Sequence, residues 1–239
     1  MRIYAIGDIH GQLAMLEAMH DRVAKDRAAT GDQAAPVVHL GDYVDRGPDS
    51  RGVLQRLIDG VEEGQPWVTL RGNHDEMFLD YLRQGPEDQG WNWFAGNIGG
   101  RETLASYGVA SGLLAKRKSV HRRACVAVPD AHRAFLEALP LSYETADLIF
   151  VHAGIRPGLP LSDQIPQDLL WIRGEFLSDP RDHGRIVVHG HTIVPAPEHR
   201  GNRVALDTGA GMGNMPTVAV FEGTDVHILE ETGRRPLRP

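Results

Sequence analysis

Cysteine is almost absent from this sequence. Cys125 is the only one in 239 residues, which excludes an internal disulfide and any metal site built from thiolates. No apolar run approaches the ~18 residues that a membrane span needs. The opening MRIYAIGDIHG has no apolar stretch followed by a small-residue cleavage site, so no secretory leader is expected. There is no cation surplus either: 25 Lys and Arg stand against 32 Asp and Glu, a formal charge of −7. Coating nucleic acid requires excess cations facing phosphates, so neither nucleic acid nor membrane is an expected partner. Repeats and low-complexity tracts are lacking, and the hydrophobic share of 41% and charged share of 24% are those of a globular chain. The expectation from these absences is a soluble, cytoplasmic protein, and the length of 239 residues suits one α/β domain over residues 1–239 better than two small ones. What the chain has in quantity is histidine, twelve of them.

Short apolar, β-branched runs recur, and each closes on a turn signal. Arg2–Ile6 runs into Gly7-Asp8, Pro36–Leu40 into Gly41-Asp42, and Trp67–Leu70 into Arg71-Gly72-Asn73-His74. Leu148–Val151 leads to His152-Ala153-Gly154, and Ile186–Val188 to His189-Gly190-His191. Val204–Leu206 and Val218–Phe221 precede Asp207-Thr208-Gly209 and Glu222-Gly223. Such runs between helical stretches predict strands buried on both faces in a layered α/β fold. Helical spacing places Leu13, Leu16, Met19 and Val23 on one face, and predicts helices at Ser50–Glu62, His74–Arg83, Ala131–Leu139 and Gln167–Leu177. Asp49 or Ser50 caps the second of these. From about 84 to 130 the register dissolves, which reads as a helical insertion or cap carrying a basic stretch, Lys116 to Arg123. The basic, Pro-containing tail 232–239 reads as frayed.

Asp8, His10, Asp42, Asn73, His152 and His191 each lie just past one of these strand-like runs. Ligands of open α/β sheets bind outside the carboxyl ends of strands. Taken singly, Gly-Asp is an ordinary turn pair, a lone histidine a hydrogen-bonded core residue, and Asn73 a left-handed turn residue. Taken together, five strand ends closing on metal-competent side chains make a mixed N/O ligand set suited to divalent ions. Six such ligands fit a pair of ions sharing a carboxylate.

Gly7-Asp8-Ile9-His10-Gly11, Gly41-Asp42-Tyr43-Val44-Asp45-Arg46-Gly47 and Gly72-Asn73-His74-Asp75 resemble the GD-x-HG, GD-x-VDRG and GNH[ED] blocks of the calcineurin-like metallophosphoesterases. The middle block is similar to that of the PPP branch, which holds the Ser/Thr protein phosphatases and the symmetrical diadenosine tetraphosphatases. Val151-His152-Ala153-Gly154 and Gly190-His191-Thr192 match the later histidine blocks. The resemblance runs from residue 7 to about 209 and implies an αββα fold, a β-sandwich flanked by helices. By the same resemblance, Asp8, His10 and Asp42 hold a first metal, and Asp42 bridges to a second completed by Asn73, His152 and His191. An anionic bridge suits dications held ~3.5–4 Å apart. The implied nucleophile is a hydroxide bridging the ions, with no covalent phosphoenzyme. Manganese is the implied metal, with iron, zinc, cobalt and magnesium compatible with the ligand types.

His74 is then the acid that protonates the leaving alkoxide, oriented by Asp45. Arg46 clamps phosphate oxygens through its planar fork. A second phosphate-directed arginine is expected; Arg173 is the first choice and Arg156 the next. Ile193 stands where nucleases of this family place a further histidine, which favours the PPP branch. His189 reads as structural, and His20, His39, His121, His132, His183, His199 and His227 as ordinary. Trp91-Asn92-Trp93-Phe94 reads first as packing and second as a pocket wall. Three functions are therefore on the table. The first is a two-metal phosphomonoesterase acting on phosphoserine and phosphothreonine, and on phosphotyrosine, in phosphoproteins or small phosphorylated substrates. The second is a symmetrical dinucleoside tetraphosphate hydrolase. The third is a silent metal- or phosphoprotein-binding module, disfavoured because His74, Asp45 and Arg46 are all retained.

Overall fold

A computed structural model describes residues 1–85, 92–112 and 114–239. Its strands are β1 (Arg2–Ile6), β2 (Val37–His39), β3 (Trp67–Thr69), β4 (Ser142–Glu144), β5 (Leu148–Val151), β6 (Ile186–His189), β7 (Glu198–His199), β8 (Arg203–Ala205), β9 (Val218–Glu222), β10 (Asp225–Glu230) and β11 (Gly233–Leu237). The helices are α1 (Leu13–Thr30), α2 (Ser50–Glu62), α3 (Asn73–Gln84), α4 (Gly100–Ser106), α5 (Arg117–Ala127), α6 (Asp130–Ala138), α7 (Pro166–Trp171) and α8 (Gly174–Leu177). One sheet runs β11-β10-β9-β1-β2-β3 and the other β4-β5-β6-β8-β7.

Period-two alternation explains the layering. In β1, Ile3 and Ala5 face the core between the sheets, while Tyr4 and Ile6 face the helices. In β9, Ala219 and Phe221 point inward and Val218 and Val220 outward. The second sheet repeats the scheme: Phe150 and Val188 enter the shared core, and Ile149, Val151 and Val187 pack under Leu169, Ile172 and Phe176. Strands apolar on both faces thus make the two middle layers of an αββα fold. Within the sheets, β1, β2 and β3 run parallel, as do β5, β6 and β8. The loops that follow neighbouring parallel strands therefore emerge at the same edge of each sheet. Asp49, not Ser50, caps α2, its carboxylate accepting from the Gly52 amide at 2.8 Å.

Two expectations need correction. The tail is not frayed: β11 pairs antiparallel with β10 from Glu230↔Gly233 to Val226↔Leu237. Its Arg234 donates to both Asp26 oxygens at 2.7 Å, and Pro236 is tolerated because β11 is the edge strand. The helix expected over Gln167–Leu177 is two short ones, because Ile172 adopts φ −58, ψ 142 and the helix ends there. Between residues 84 and 130 the described parts include α4 and α5, while 86–91 and 113 lie outside the described residues. Leu104, Val120, Ala124 and Val128 join Phe78 and Tyr81 in the core on the helical face of the first sheet. The basic residues of α5 surround a narrow buried stripe of Val120 and Ala124, as on a solvated helix. Among the described residues, no helix is long and apolar enough to cross a membrane.

Candidate metal centre

Asp8 and His10 follow β1, Asp42 follows β2, Asn73 begins α3 just beyond β3, and His152 and His191 follow β5 and β6. All six are buried. Ligand-competent atoms of His10, Asp42 and His74 lie within 4.8 Å of one another, and so do those of Asp42, His152 and His191. Asp42 belongs to both groups, the position a bridging carboxylate requires. Asp8 stands beside them, both its oxygens accepting from the His191 amide at 3.1 and 3.2 Å.

The backbone is strained here. Among the described residues, five that are not glycine adopt positive φ: His10, Asp42, Asp45, Arg46 and His191. Each costs roughly 1–2 kcal/mol relative to an ordinary conformation, and such strain persists only where surrounding contacts enforce it. Asp75 supplies much of that enforcement. Its buried carboxylate accepts from the amides of Asp42 and Tyr43, both at 2.9 Å, and of Gly72 at 2.8 Å, tying the loop after β2 to the start of α3. Burial, reinforced by the Asp42 charge, pushes its pKa up to about 8. Gly190 is needed for a different reason: a Cβ there would collide with the Asp8 carboxylate.

The donor chemistry fits a divalent cation. His10 Nδ1 meets the Val44 carbonyl at 2.9 Å and His152 Nδ1 meets that of Leu40 at 2.9 Å. In each ring Nδ1 faces a backbone carbonyl, which turns Nε2, the nitrogen placed to offer a lone pair, into the site. For His152 that lone pair faces Asn73 Oδ1 at 2.8 Å and Asp42 Oδ1 at 3.4 Å. A cluster of acceptors aimed at one another is resolved by a cation. His191 Nε2 is buried without a hydrogen-bond partner, while its Nδ1 lies 2.8 Å from Asn73 Oδ1. Burial pushes His10 down to about 3 and His191 down to about 2, against the pull of Asp42. Both rings are therefore neutral, the form that binds metal. Burial also opposes ionisation of Asp42, but the surrounding imidazoles, His152 first, hold it well below the usual carboxylate range. Asp8 is driven well above that range by burial, by Asp207 and by Asp42. Three neighbouring buried carboxylates repel until positive charge enters.

Asp207 is a residue that sequence reading missed as part of the site. It follows β8, extending the strand-end pattern by one more strand, and is 2% exposed. The Asp207-Thr208-Gly209 turn was the available signal; Asp207 Oδ1 accepts from the Gly209 amide at 2.9 Å.

His74 Nδ1 and Asp45 Oδ2 are 2.7 Å apart, both residues buried. Burial depresses this imidazole, but the Asp42 charge and the Asp45 hydrogen bond outweigh it and hold its pKa above the ordinary value. Arg46 spans the opening: Nη1 lies 2.7 Å from His10 Nε2, and Nη2 lies 3.1 Å from His74 Nε2. Trp93 donates its indole N–H to Asp45 Oδ2 at 2.9 Å, and Thr103 donates its hydroxyl to Asp45 Oδ1 at 2.7 Å. Packing was the first expectation for Trp93, and it does pack, against Phe78 and Tyr81. Its polar role is an addition; Trp91 lies outside the described residues. His189 is buried on the outer face of its sheet, edge-on to Phe176.

Of the two candidate arginines, Arg156 is committed elsewhere. It makes two hydrogen bonds to Asp168, at 2.7 and 2.8 Å, and a third to Glu175 at 2.6 Å. Arg173 sits exposed in the break between α7 and α8. Its side chain makes no hydrogen bond or ion pair among the described residues, and its charge acts on His191.

The model of one family, the calcineurin-like phosphoesterases, matches residues 1–212. The chain belongs to that family. Over 231 residues this phosphoesterase is 26% identical to the asymmetrical bis(5'-nucleosyl)-tetraphosphatase PrpE of Bacillus subtilis (strain 168), covering 89% of this chain and 87% of that one. A shorter match, 31% identical over 97 residues, is to serine/threonine-protein phosphatase 2 of Escherichia coli (strain K12). It covers 38% of this chain and 39% of the relative's length. A cold-active protein-tyrosine phosphatase from a Shewanella species shares the fold, with a TM-score of 0.66, 16% identity, and coverage of 99% of this chain and 80% of that chain. The phosphoesterase is thus a metal-binding hydrolase by family.

Proposed function

We propose that the phosphoesterase hydrolyses phosphomonoesters of alcohols, serine and threonine side chains of phosphoproteins first and tyrosine second, at a centre of two divalent ions. The buried His74–Asp45 pair carries this reading. An alkoxide is a poor leaving group and needs a proton as the P–O bond breaks, whereas the phosphate leaving groups of an anhydride need none. Asp45 accepts from Nδ1 and, with Asp42, favours the doubly protonated imidazolium, whose Nε2–H on the opposite side of the ring is the proton to be donated. Asp8, His10 and Asp42 would hold one ion, and Asp42, Asn73, His152 and His191 the other. Bound there, the ions supply Lewis acidity toward phosphoryl oxygens and activation of water. Manganese is the metal proposed, the ligand set being nitrogen and oxygen without sulfur. Arg46 binds phosphate oxygens, and Arg173 supplies the second clamp.

A second reading, hydrolysis of dinucleoside tetraphosphates, is favoured by one observation: the similarity to PrpE runs almost end to end, while that to the protein phosphatase is local. The test is turnover by the manganese-loaded protein of a phosphoserine peptide against diadenosine tetraphosphate. Faster peptide turnover is expected. Dominant turnover of the dinucleotide would replace the first reading, with two ADP marking symmetrical cleavage and ATP plus AMP asymmetrical cleavage. Arg173→Ala is expected to raise KM for the peptide about 10-fold, the loss of one charge-assisted contact. Metal content should stay the same. Arg156→Ala should leave KM unchanged; the reverse pattern would exchange their roles.

A further inference from the structure

Asp45 is the least exposed residue of the proton-donating pair, at 0%, and most of what holds it comes from far along the chain. Its Oδ2 is shared by His74 Nδ1 and the indole N–H of Trp93, and its Oδ1 takes the hydroxyl of Thr103. The Asp45 amide in turn donates to Thr103 Oγ1 at 2.8 Å, so Thr103 grips both ends of the residue. Ser50 Oγ stands 3.2 Å from the same hydroxyl and 3.2 Å from the same amide. One residue on, the Arg46 amide donates to the Gly99 carbonyl at 3.4 Å. Gly99 adopts φ 99, and a Cβ there would strike the Arg46 backbone. Trp93 itself cannot shift: it is 1% exposed, stacked on Phe78 at 5.4 Å and packed on Tyr81 at 4.6 Å.

We propose that Trp93 and Thr103, on the segment between α3 and α5, are positioning residues that lock the Asp45 carboxylate and through it aim the His74 proton. This rests on the reading of His74 as proton donor. A carboxylate turns freely about χ2 unless its oxygens are bound, and His74 fixes only one oxygen. The indole N–H and the hydroxyl fix the plane, and with it the direction of the Nδ1–H bond and of Nε2 opposite. Both oxygens of Asp45 are thereby engaged by neutral donors in addition to the imidazole. Trp93 and Thr103 thus help aim the proton donor without touching the reacting atoms, since a donor misaimed by a fraction of an ångström loses much of its effect.

Trp93→Phe keeps the stacked ring and removes the N–H; Thr103→Val keeps the shape and removes the hydroxyl, which Thr103→Ser retains. Turnover of a phosphoserine peptide should fall about 10-fold in W93F and T103V, while turnover of 4-nitrophenyl phosphate changes little. T103S should behave as wild type on both. In the His74→Asn background, W93F should cost nothing further on the peptide. Metal content and melting temperature, measured on every variant, separate mispositioning from damage to the fold or the metal centre. Equal losses on the two substrates, or losses that add to H74N, would overturn the positioning role. Should W93F fail to fold, T103V against T103S decides alone. If H74N itself loses both substrates equally, the proton-donor reading fails and this inference falls with it. If H74N discriminates and W93F and T103V do not, only the positioning role is lost.

Discussion

Asp42→Asn should abolish activity and strip both ions, leaving a folded protein with less than one metal per chain. The substitution spares the local structure. Asn keeps an oxygen to accept from the His74 amide, which Asp42 Oδ1 does at 2.9 Å. It also tolerates the φ of 54 found there better than most residues. What is lost is the negative charge, and Asp42 is the one group common to both ligand clusters. Removing an outer partner of a metal ligand costs about 10–100-fold in affinity; removing the shared anion should cost more, at both positions. Metal analysis after gel filtration reads the stoichiometry. Chelation provides a second readout. In the wild type, an ion present at about 100 times its Kd contributes about 2.7 kcal/mol to stability, so EDTA should lower Tm by roughly 5–10 °C. EDTA should leave the melting of D42N unchanged. A D42N protein that keeps one full equivalent of metal would show that Asp42 serves a single ion and does not bridge.

The sandwich was legible because its central strands are buried on both faces. β1, β5 and β9 read as short apolar, β-branched runs stopped by a glycine or a candidate ligand, too short for helices. β11 was illegible for the converse reason. Its Gly-Arg-Arg-Pro-Leu has neither alternation nor β-branched residues, and it is held by Arg234 on Asp26 and Glu222, partners about two hundred and about twelve residues away. The break at Ile172 follows from burial under the second sheet, a tertiary demand that overrides local helical spacing. At the site, the candidate ligands are set by where strands end, which is a local signal. Their supports are not local. Thr103 lies 58 residues from Asp45 and Asp207 reaches the centre from β8. Asp75 was within the Gly72-Asn73-His74-Asp75 block, but its role depends on amides 32 and 33 residues upstream.

His74→Asn should separate two substrates that differ only in their leaving groups. On a phosphoserine peptide the loss should be about 10²–10⁴-fold, the usual worth of a positioned general acid. On 4-nitrophenyl phosphate, whose leaving anion is stable without a proton, the loss should be about 10-fold or less. The fold should survive, since Asp45 keeps Trp93 and Thr103 as donors when the imidazole goes. Geometry offers a rival role: His74 lies in the same cluster as His10 and Asp42, so it could be a ligand. The two roles make opposite demands on the ring. A ligand must turn a lone pair inward, whereas an acid must carry its proton there, and Asp42 and Asp45 together favour the protonated imidazole. Metal content decides between them. H74N with a full complement of metal and a loss confined to the peptide assigns His74 as the acid. H74N short of metal, with both substrates failing alike, assigns it as a ligand and leaves the alkoxide to find its proton elsewhere.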